Sequence, residues 1–405
     1  MSMSTADQVI QHALLRALRD AFREALQPEA QADATRDLLA VSERLLSRMT
    51  AQPPGAQATS ASCATFGLPQ VPAAPPRALP TINSELLQNY LERRFAGDAP
   101  RVRSIRALPG GRSKRTFAVS VDACASLPQQ FVLRQDKPDS AQRTKVCHEF
   151  PVMQALRAQG VSVAQPLWLE ANSNELGPPF FAMGFESGDA PGNYWSAGAA
   201  SAALGDALAD TLAALHQADA ARAWPQSPRG ASDCVAEMVF GCEARWRANG
   251  AEISDVAERA FDWLRSALGC IDGHCAPVHG DVHFGNVLAT GERIQCLTDW
   301  EFAHAGHPSE DVAFCRSYIE SIMPWERFLE RYRRAGGRDV SNDQMQFFRI
   351  WTYLRNLSFA AGLRQNLLQV GAADLQSLVI VIDALPRLER SLAHVMAEVS
   401  GESHS

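Results

Sequence analysis

The sequence predicts an α+β fold of two lobes, a small β-rich lobe followed by a larger, mostly helical lobe, with an N-terminal helical appendage in front of them. Short apolar runs typical of strands are confined to residues 81–186, and helical periodicity dominates residues 187–405. A segment rich in Pro, Ala, Ser and Gly at residues 52–80 precedes both. We expect the chemistry between the lobes, because small ligands commonly bind in clefts between packed units.

The appendage covers residues 1–51. Apolar residues recur there at helical spacing in two stripes, the first formed by Ile10, Leu14, Leu18, Phe22 and Leu26 and the second by Leu38, Val41 and Leu45. Residues 52–80 lack the composition for a helix or a core and are predicted to be a linker. The two helices are candidates for a docking element, including a homodimer contact.

The small lobe is predicted to start with a helix that Asn83 caps. The elements expected after it are a glycine turn at Pro109–Arg112, strands at Phe117–Val121 and Phe131–Leu133, a helix at His148–Leu156, and extended segments at Val161–Leu169 and Phe180–Phe185. The larger lobe is predicted to be helical apart from a motif-bearing interruption at Pro277–Glu301.

Composition excludes several partner classes. The formal net charge of −7 argues against nucleic acid and against an anionic membrane surface, since both require a cationic face. The apolar run Leu375–Leu385 is too short to span a bilayer and contains Asp383. The nine cysteines are scattered without a C-x-x-C pair, and Met1–Ile10 is too polar for a secretory signal, so we expect a reducing cytoplasm.

The residues with chemical potential follow one another in the interruption of the helical lobe. Phosphoryl transfer needs one carboxylate that orients the attacking hydroxyl, together with an amide and a second carboxylate that hold Mg²⁺ ions on the nucleotide phosphates. Asp281, Asn286 and Asp299 supply this set, and in protein kinases the catalytic Asp and the metal-binding Asn have the same spacing. We therefore predict Asp281 as the base, and Asn286 and Asp299 as catalytic metal ligands.

These residues resemble the motifs of the aminoglycoside phosphotransferase and choline kinase-like superfamily. Its pattern His-Gly-Asp-x-His-x-x-Asn matches residues 279–286, and its Asp-x-(Asp/Glu) matches residues 299–301. The resemblance covers residues 83 to 390 and includes a Gly-Asp-Pro-x-x-Asp segment in which His307 replaces the first Asp. It implies a protein kinase-like fold, ATP and Mg²⁺ as cofactors, a small-molecule hydroxyl acceptor, and a structural role for Asp311 beneath the catalytic loop.

The nucleotide-binding residues are expected in the small lobe. Gly110 and Gly111 lie between two strands, where backbone N–H groups can approach phosphates. With Ser113 they resemble the family loop Gly-Gly-x-Ser-Asn-x-Thr, in which Lys114 replaces Asn. Lys114 and the following Arg115 are cations that either contact phosphates or point to solvent.

Arg134 ends a predicted strand where kinases place the lysine that contacts the phosphates. A subset of the superfamily, the kinase-like domains fused to acyl-CoA dehydrogenases, is similar in having arginine there, and Lys137 is the alternative cation. Glu149 on the next helix is the expected ion-pair partner of Arg134. Met183 lies in the strand that leads to the hinge between the lobes, where adenine is expected.

Two other functions compete with a hydroxyl kinase. A nucleotide-binding pseudokinase or scaffold would use the same loop without turnover. A metal hydrolase would use His279, Asp281 and His283, if these alternate on one face of a strand. In the kinase interpretation both histidines stabilise the loop, and His216 at the end of a predicted helix is also structural.

The acceptor cannot be deduced from a motif. Candidate segments are Glu237–Arg247 and Phe347–Asn366, in the helical lobe. The second segment contains Arg349, Arg355 and Arg364, which would suit an anionic or acyl-CoA-type acceptor, although such residues more often form solvated faces or ion pairs.

Overall fold

The computed structural model describes residues 82–108, 114–137, 145–228, 230–248, 254–370 and 375–400. The proposed N-terminal helices, the linker and the glycine turn with Gly110, Gly111 and Ser113 lie outside these ranges. The described residues confirm the two-lobed α+β fold, with a small lobe built on one sheet and a larger lobe built mainly of helices.

The elements of the small lobe are α1 (Ser84–Arg94), β1 (Val102–Leu108), β2 (Lys114–Val121), β3 (Gln130–Asp136), α2 (Val146–Arg157), β4 (Pro166–Glu170) and β5 (Phe180–Gly184). Its strands form an antiparallel five-stranded sheet of order β1-β2-β3-β5-β4. Helix α1 begins as predicted, because the Asn83 side chain accepts a hydrogen bond from Leu86 N at 2.8 Å. Strand β4 is shorter than expected, since it begins at Pro166, and within residues 161–165 Val163 makes an isolated bridge to Leu297 of the large lobe.

Successive side chains of β3 alternate between the hydrophobic core of the small lobe and the face that carries the candidate site residues. Phe131 and Leu133 are fully buried in the cluster that packs the sheet against α1. Side chains of successive strand residues point to opposite faces, so Arg134 and Asp136 lie on the other face. Lys114 of β2 pairs with Asp136 in the ladder and therefore shares that face. Three charged side chains thus lie on the side of the sheet where α2 packs.

The large lobe packs its helices around two hydrophobic clusters. Its helices are α3 (Ala202–Gln217), α4 (Ala220–Ala223), α5 (Ala231–Ala248), α6 (Asp255–Ala267), α7 (Ser309–Glu320), α8 (Trp325–Arg334), α9 (Asn342–Val370), α10 (Leu375–Val379) and α11 (Leu385–Ser400), with a π-helical turn at Ile380–Ala384. Its strands are β6 (Ala276–Val278), β7 (Val287–Thr290), β8 (Arg293–Leu297) and β9 (His304–Gly306).

Two short strand pairs bring the motif residues together. In the β7–β8 hairpin Val287 pairs with Leu297, so the residues just outside the hairpin, Asn286 and Thr298, become neighbours. Strand β6 pairs with β9, which joins the start of the catalytic loop to the end of the Asp299 segment. The spacing of Asn286 and Asp299 in the sequence is therefore the length of one hairpin.

Two further findings concern the sequence expectations on compartment and membrane. None of the described helices is long and apolar enough to cross a membrane. Cys234 and Cys275 are joined as a disulfide, a pair 41 residues apart that the scattered spacing did not predict. A cytoplasmic location stays a proposal.

Candidate active site

The catalytic loop runs between β6 and β7, at residues 279–286. Asp311 at the start of α7 holds its first turn, because its carboxylate accepts hydrogen bonds from His279 N and Gly280 N, both at 2.8 Å. Gly280 has φ of 78°, and a Cβ there would lie 2.8 Å from Phe302 O, so glycine is required. Asp311 therefore lies beneath the catalytic loop, the structural position that the family resemblance implies.

A buried chain of hydrogen bonds anchors Asp311 to two helices. His216 at the end of α3 lies with Nε2 3.1 Å from Asp311 Oδ2, and its Nδ1 lies 2.8 Å from Tyr332 Oη on α8. Burial raises the pKa of Asp311, but hydrogen bonds and charge from His216 outweigh burial and keep the pKa below its usual value. His216 has the structural role that the sequence predicted.

The two histidines of the loop use their ring nitrogens within the loop. His279 has Nε2 2.9 Å from Thr298 O, and its Nδ1 accepts from Asp281 N at 3.3 Å. His283 Nδ1 accepts from Gly285 N at 3.0 Å. Strand β6 ends before His279, so the alternation required by a metal-binding triplet is absent. The described residues contain no group of three or more His, Cys, Asp or Glu placed to hold a metal.

Asp281 and Asn286 are hydrogen-bonded to each other. Asn286 Nδ2 donates to the Asp281 main-chain oxygen and to its Oδ2, each at 2.9 Å. Burial raises the pKa of Asp281, but the hydrogen bond and charge of His283 outweigh it, so the carboxylate pKa lies below its usual value. Asp281 is therefore ionised at neutral pH, as an acceptor of a hydroxyl hydrogen must be.

Asp299 occupies the left-handed backbone region, which residues other than glycine seldom adopt. It has φ of 63°, and no other described non-glycine residue has positive φ. Its carboxylate pairs with the Arg134 guanidinium, which crosses from β3 to the large lobe. Thr298 N donates a hydrogen bond to Asn286 O at 2.9 Å. Asp299 follows Thr298 in the chain, so this bond keeps Asp299 close to Asn286.

Arg134 also forms the expected ion pair with Glu149 of α2. Its Nε lies 2.9 Å from Glu149 Oε1, and only 8% of Arg134 and 2% of Glu149 are exposed. Burial raises the pKa of Glu149, and the charge of Arg134 opposes that shift. A guanidinium between two carboxylates is fixed in direction, which suits an end-on contact with phosphate oxygens.

A second buried cation, Lys114, lies beside Arg134. Lys114 is 1% exposed, and its Nζ lies 3.4 Å from Asp136 Oδ1 and 3.7 Å from Glu301 Oε2. The sequence predicts either a phosphate contact or solvent exposure for Lys114, and no pattern in it marks Asp136 as the partner. The register of β2 on β3 is the signal that would have found the pair, because it sets Lys114 opposite Asp136.

The side chains of Asn286 and Asp299 fit a Mg²⁺ ion. Asn286 uses its amide nitrogen on Asp281, which leaves Oδ1 as its ligand atom. Asp299 is a carboxylate with 30% of its side chain exposed. Mg²⁺ prefers oxygen ligands and is usually held by one or two protein oxygens together with phosphates and water.

Met183 and two of the arginines predicted as candidates for acceptor binding, Arg349 and Arg355, lie in different surroundings. Met183 lies on β5 opposite Val132 and Pro166, one residue before the strand ends at Gly184. Arg349 pairs with Glu398 at the surface. Arg355 pairs with the buried Glu310, its Nη1 3.3 Å from Oε1, and stacks 5.5 Å over the rings of Phe302 and Phe314. Its charge lowers the pKa of Asp281.

An aromatic loop at residues 192–196 packs against His283 of the catalytic loop, and no motif in the sequence marks it. The Tyr194 ring stands edge-on to the His283 ring at 5.5 Å and to Trp195 at 5.0 Å. Tyr318 Oη of α7 donates to Tyr194 O at 2.6 Å, and Asn356 Nδ2 of α9 donates to Tyr194 Oη at 3.2 Å. Trp195 is 47% exposed beside this anchored ring.

Comparison with known proteins places this site in a family. Residues 104–351 match the phosphotransferase enzyme family, APH. Acyl-CoA dehydrogenase family member 11 of Mus musculus is 26% identical over 260 residues, which are 62% of this chain and 32% of that protein. The rat counterpart is 24% identical over 76% of this chain and 42% of its own length. The chain thus spans less than half the length of these curated relatives.

Solved structures share the fold. A candidate aminoglycoside phosphotransferase from Ralstonia eutropha JMP134 has a TM-score of 0.62 at 21% identity, covering 78% of this chain and 98% of that one. APH(4)-Ia in complex with AMP-PNP and hygromycin B has a TM-score of 0.53 at 15% identity, covering 78% and 99%. Because the family match spans more than half of this sequence and agrees with the fold, the chain belongs to the phosphotransferase enzyme family.

Proposed function

We propose that the chain is an ATP- and Mg²⁺-dependent phosphotransferase that moves the γ-phosphoryl group to a hydroxyl of a small molecule. One observation carries the proposal: Asn286 is hydrogen-bonded through its side chain to Asp281 and through its backbone to Thr298, the residue before Asp299, so the three residues lie together. Such a set serves positioning and charge stabilisation, which are the main demands of phosphoryl transfer.

Asp281 orients the acceptor hydroxyl and takes its proton as the new bond to phosphorus forms. Its lowered pKa keeps it ionised, and the Asn286 amide fixes the direction of its carboxylate. His283, 3.5 Å from the same carboxylate oxygen, limits its rotation further. Asp281 thus acts chiefly by orienting the hydroxyl, as expected for a loose transition state, in which positioning matters more than proton transfer.

The nucleotide is proposed to bind against the small lobe. Arg134 reaches from β3 to Asp299 and would bind phosphate oxygens, while Glu149 keeps its guanidinium in place. Met183 is proposed to contact adenine, and Gly110, Gly111 and Ser113 stay proposals for the phosphate loop. APH(4)-Ia binds AMP-PNP in its own complex, which supports a nucleotide in this fold.

Mg²⁺ would be held by Asn286 and Asp299. When bound, the ion supplies charge neutralisation on the phosphates. The residues of the chain set the directions of both ligands: Arg134 orients Asp299, and Asp281 occupies the Asn286 amide nitrogen so that Oδ1 is presented.

The acceptor is proposed to be an antibiotic, an amino alcohol, a sugar or a hydroxyacyl compound. Arg355, one of the three arginines predicted from the sequence, pairs with Glu310 and still lowers the pKa of Asp281, and this positive charge near Asp281 supports an acceptor with an anionic group. The matches to acyl-CoA dehydrogenase family proteins make hydroxyacyl-CoA compounds the first group to test.

The test is MgATP turnover against aminoglycosides, macrolides, choline, sugars and hydroxyacyl-CoAs. We expect one acceptor class to be phosphorylated, and Asp281→Asn to reduce kcat by about 10²–10⁴ because the carboxylate acceptor is lost. Asp262→Asn, an exposed acid on α6, is the control and should retain the wild-type rate.

Nucleotide binding without any turnover would support the pseudokinase alternative instead. Equal rates for wild type and Asp281→Asn would contradict the role of Asp281. Turnover that persists in EDTA would contradict the dependence on Mg²⁺.

A further inference from the structure

Two cations connect the small lobe to the segment that contains Asp299. Arg134 bridges Glu149 and Asp299, and Lys114 bridges Asp136 and Glu301. We call these six residues the interlobe charge network. Both bridges run from the sheet face beside α2 to residues 299–301 of the large lobe.

The Lys114 bridge is also tied to helix α2. Val146 N, in the first turn of α2, donates to Asp136 Oδ1 at 3.2 Å. The same carboxylate oxygen contacts the Lys114 ammonium, so Lys114, the start of α2 and Glu301 form one connected unit. Glu149 lies one turn further along α2 and holds Arg134. A change at Lys114 is therefore transmitted to the charges around Asp299 and not only to a surface.

The network contains two more carboxylates than cations. Lys114, Asp136, Glu149 and Glu301 are all less than 10% exposed, so water screens their charges poorly. Nucleotide phosphates are anionic, and a buried excess of carboxylates repels them while attracting divalent cations. The ammonium of Lys114 reduces this excess next to Glu301, at a position where the resembled family pattern has an uncharged Asn.

We propose that Lys114 is a positioning and charge-setting residue of the phosphoryl-transfer site, whose ammonium serves as a built-in counter-cation for Glu301 and so favours the nucleotide over a further divalent ion. The inference rests on the proposed function. Glu301 is accordingly a partner of lysine in this chain, and Mg²⁺ is left to Asn286 and Asp299.

The test measures binding of two probes separately, metal-free ATP in EDTA and Mn²⁺ without nucleotide. Lys114→Met keeps most of the length of the side chain and removes its charge. We expect the Kd of ATP to rise by about tenfold and the Kd of Mn²⁺ to fall by a few-fold, because charge moves the two affinities in opposite directions. Lys114→Arg should stay close to wild type for both probes.

A double variant and a surface control sharpen the measurement. Lys114→Met combined with Glu301→Gln removes one charge of each sign, so ATP affinity should recover most of its loss. Arg103→Met removes an exposed cation from the same sheet and should change neither affinity.

The outcomes separate this inference from the proposed function. If Lys114→Met weakens both probes, or neither, the residue is merely structural or irrelevant and the inference is wrong. If ATP affinity fails to recover in the double variant, Glu301 is not the partner through which Lys114 acts. A wild-type protein that binds no nucleotide overturns the proposed function, and this inference with it.

Discussion

The candidate site is contacted by two regions, called its two sides below, that are built from different interactions: Arg134 meets Asp299 on one side, and Tyr194 meets His283 on the other. Toward the small lobe lie buried ion pairs, in which Arg134 is 8% and Glu149 2% exposed. Toward the helical lobe lies an aromatic loop, in which Trp195 is 47% exposed and Tyr194 is held by hydrogen bonds from α7 and α9. One side is charged and shielded from water, and the other is aromatic and open to it.

The contrast matches the two substrates of the proposed reaction. A nucleotide presents the same phosphates to every enzyme that binds it, so the groups that meet it are restricted to cations and metal-binding oxygens. An acceptor presents a hydroxyl on a variable body, which exposed aromatic rings can contact without a fixed pattern. Variants on the two sides should therefore affect different kinetic constants.

The largest effect is expected on the charged side, from Arg134→Met. The change leaves Glu149 buried without its cation, so we expect a loss of about 3–5 kcal/mol in stability, measured as a lower Tm. The KM for MgATP should rise by at least about tenfold, since a charge-assisted contact to phosphate contributes about 1.5–3 kcal/mol. The KM for the acceptor should change little.

A paired variant separates stability from binding. Arg134→Met with Glu149→Leu replaces the ion pair by apolar side chains, which should restore much of the Tm but not the affinity for MgATP. Recovery of both would mean that Arg134 serves packing alone. Arg134→Lys, which retains the charge but not the fork of donors, should fall between wild type and Arg134→Met.

A medium effect is expected from pH, in the helical lobe. His307 is 2% exposed and stacks on Phe348 of α9, and burial lowers its pKa from 6.5 to about 4. Between these values the unfolded chain binds a proton that the folded chain does not, so stability is complete above pH 6.5 and falls as the pH approaches 4. The shift corresponds to about 3 kcal/mol.

His307→Asn tests that assignment, because an amide oxygen can still accept the hydrogen bond that Ser309 N donates to the His307 ring. The Tm of the wild type should fall between pH 6.5 and pH 4, and the fall should be smaller in the variant. The raised pKa of His304, held by Glu310 against the effect of burial, acts above pH 6.5 and so outside this window. Parallel curves for the two proteins would show that another group titrates.

The same contrast explains what the sequence could predict. The sequence predicts Asp281, Asn286 and Asp299 as neighbours because a short loop and a single hairpin fix their spacing. It predicts the pairing of Arg134 with Glu149 because a strand and the next helix present them in order. The role of Lys114 depends on strand register, which no single strand encodes.

The aromatic loop depends on contacts distant in sequence. Tyr194 is held by Tyr318, a residue 124 positions away, and neither strand nor helix periodicity marks residues 192–196. The disulfide between Cys234 and Cys275 is likewise a tertiary contact. Features set by long-range packing leave no local pattern, even when they lie next to a motif that does.

The smallest effect, and the one that tests the open side directly, is expected from Trp195→Ala. The exposed indole of Trp195 lies beside Tyr194, whose ring meets His283, and it has no role in the core, so its removal should leave the Tm unchanged. We expect the KM for the acceptor to rise by a few-fold to about tenfold, since an aromatic contact contributes about 0.5–1.5 kcal/mol beyond the area it buries. The KM for MgATP should stay the same.

Phe240→Ala removes an equally exposed ring, 49% against 47%, from helix α5 and is the matched control. If both variants raise the acceptor KM alike, or if Trp195→Ala instead raises the KM for MgATP, then the aromatic loop does not face the acceptor and the division of the cleft into two sides is wrong.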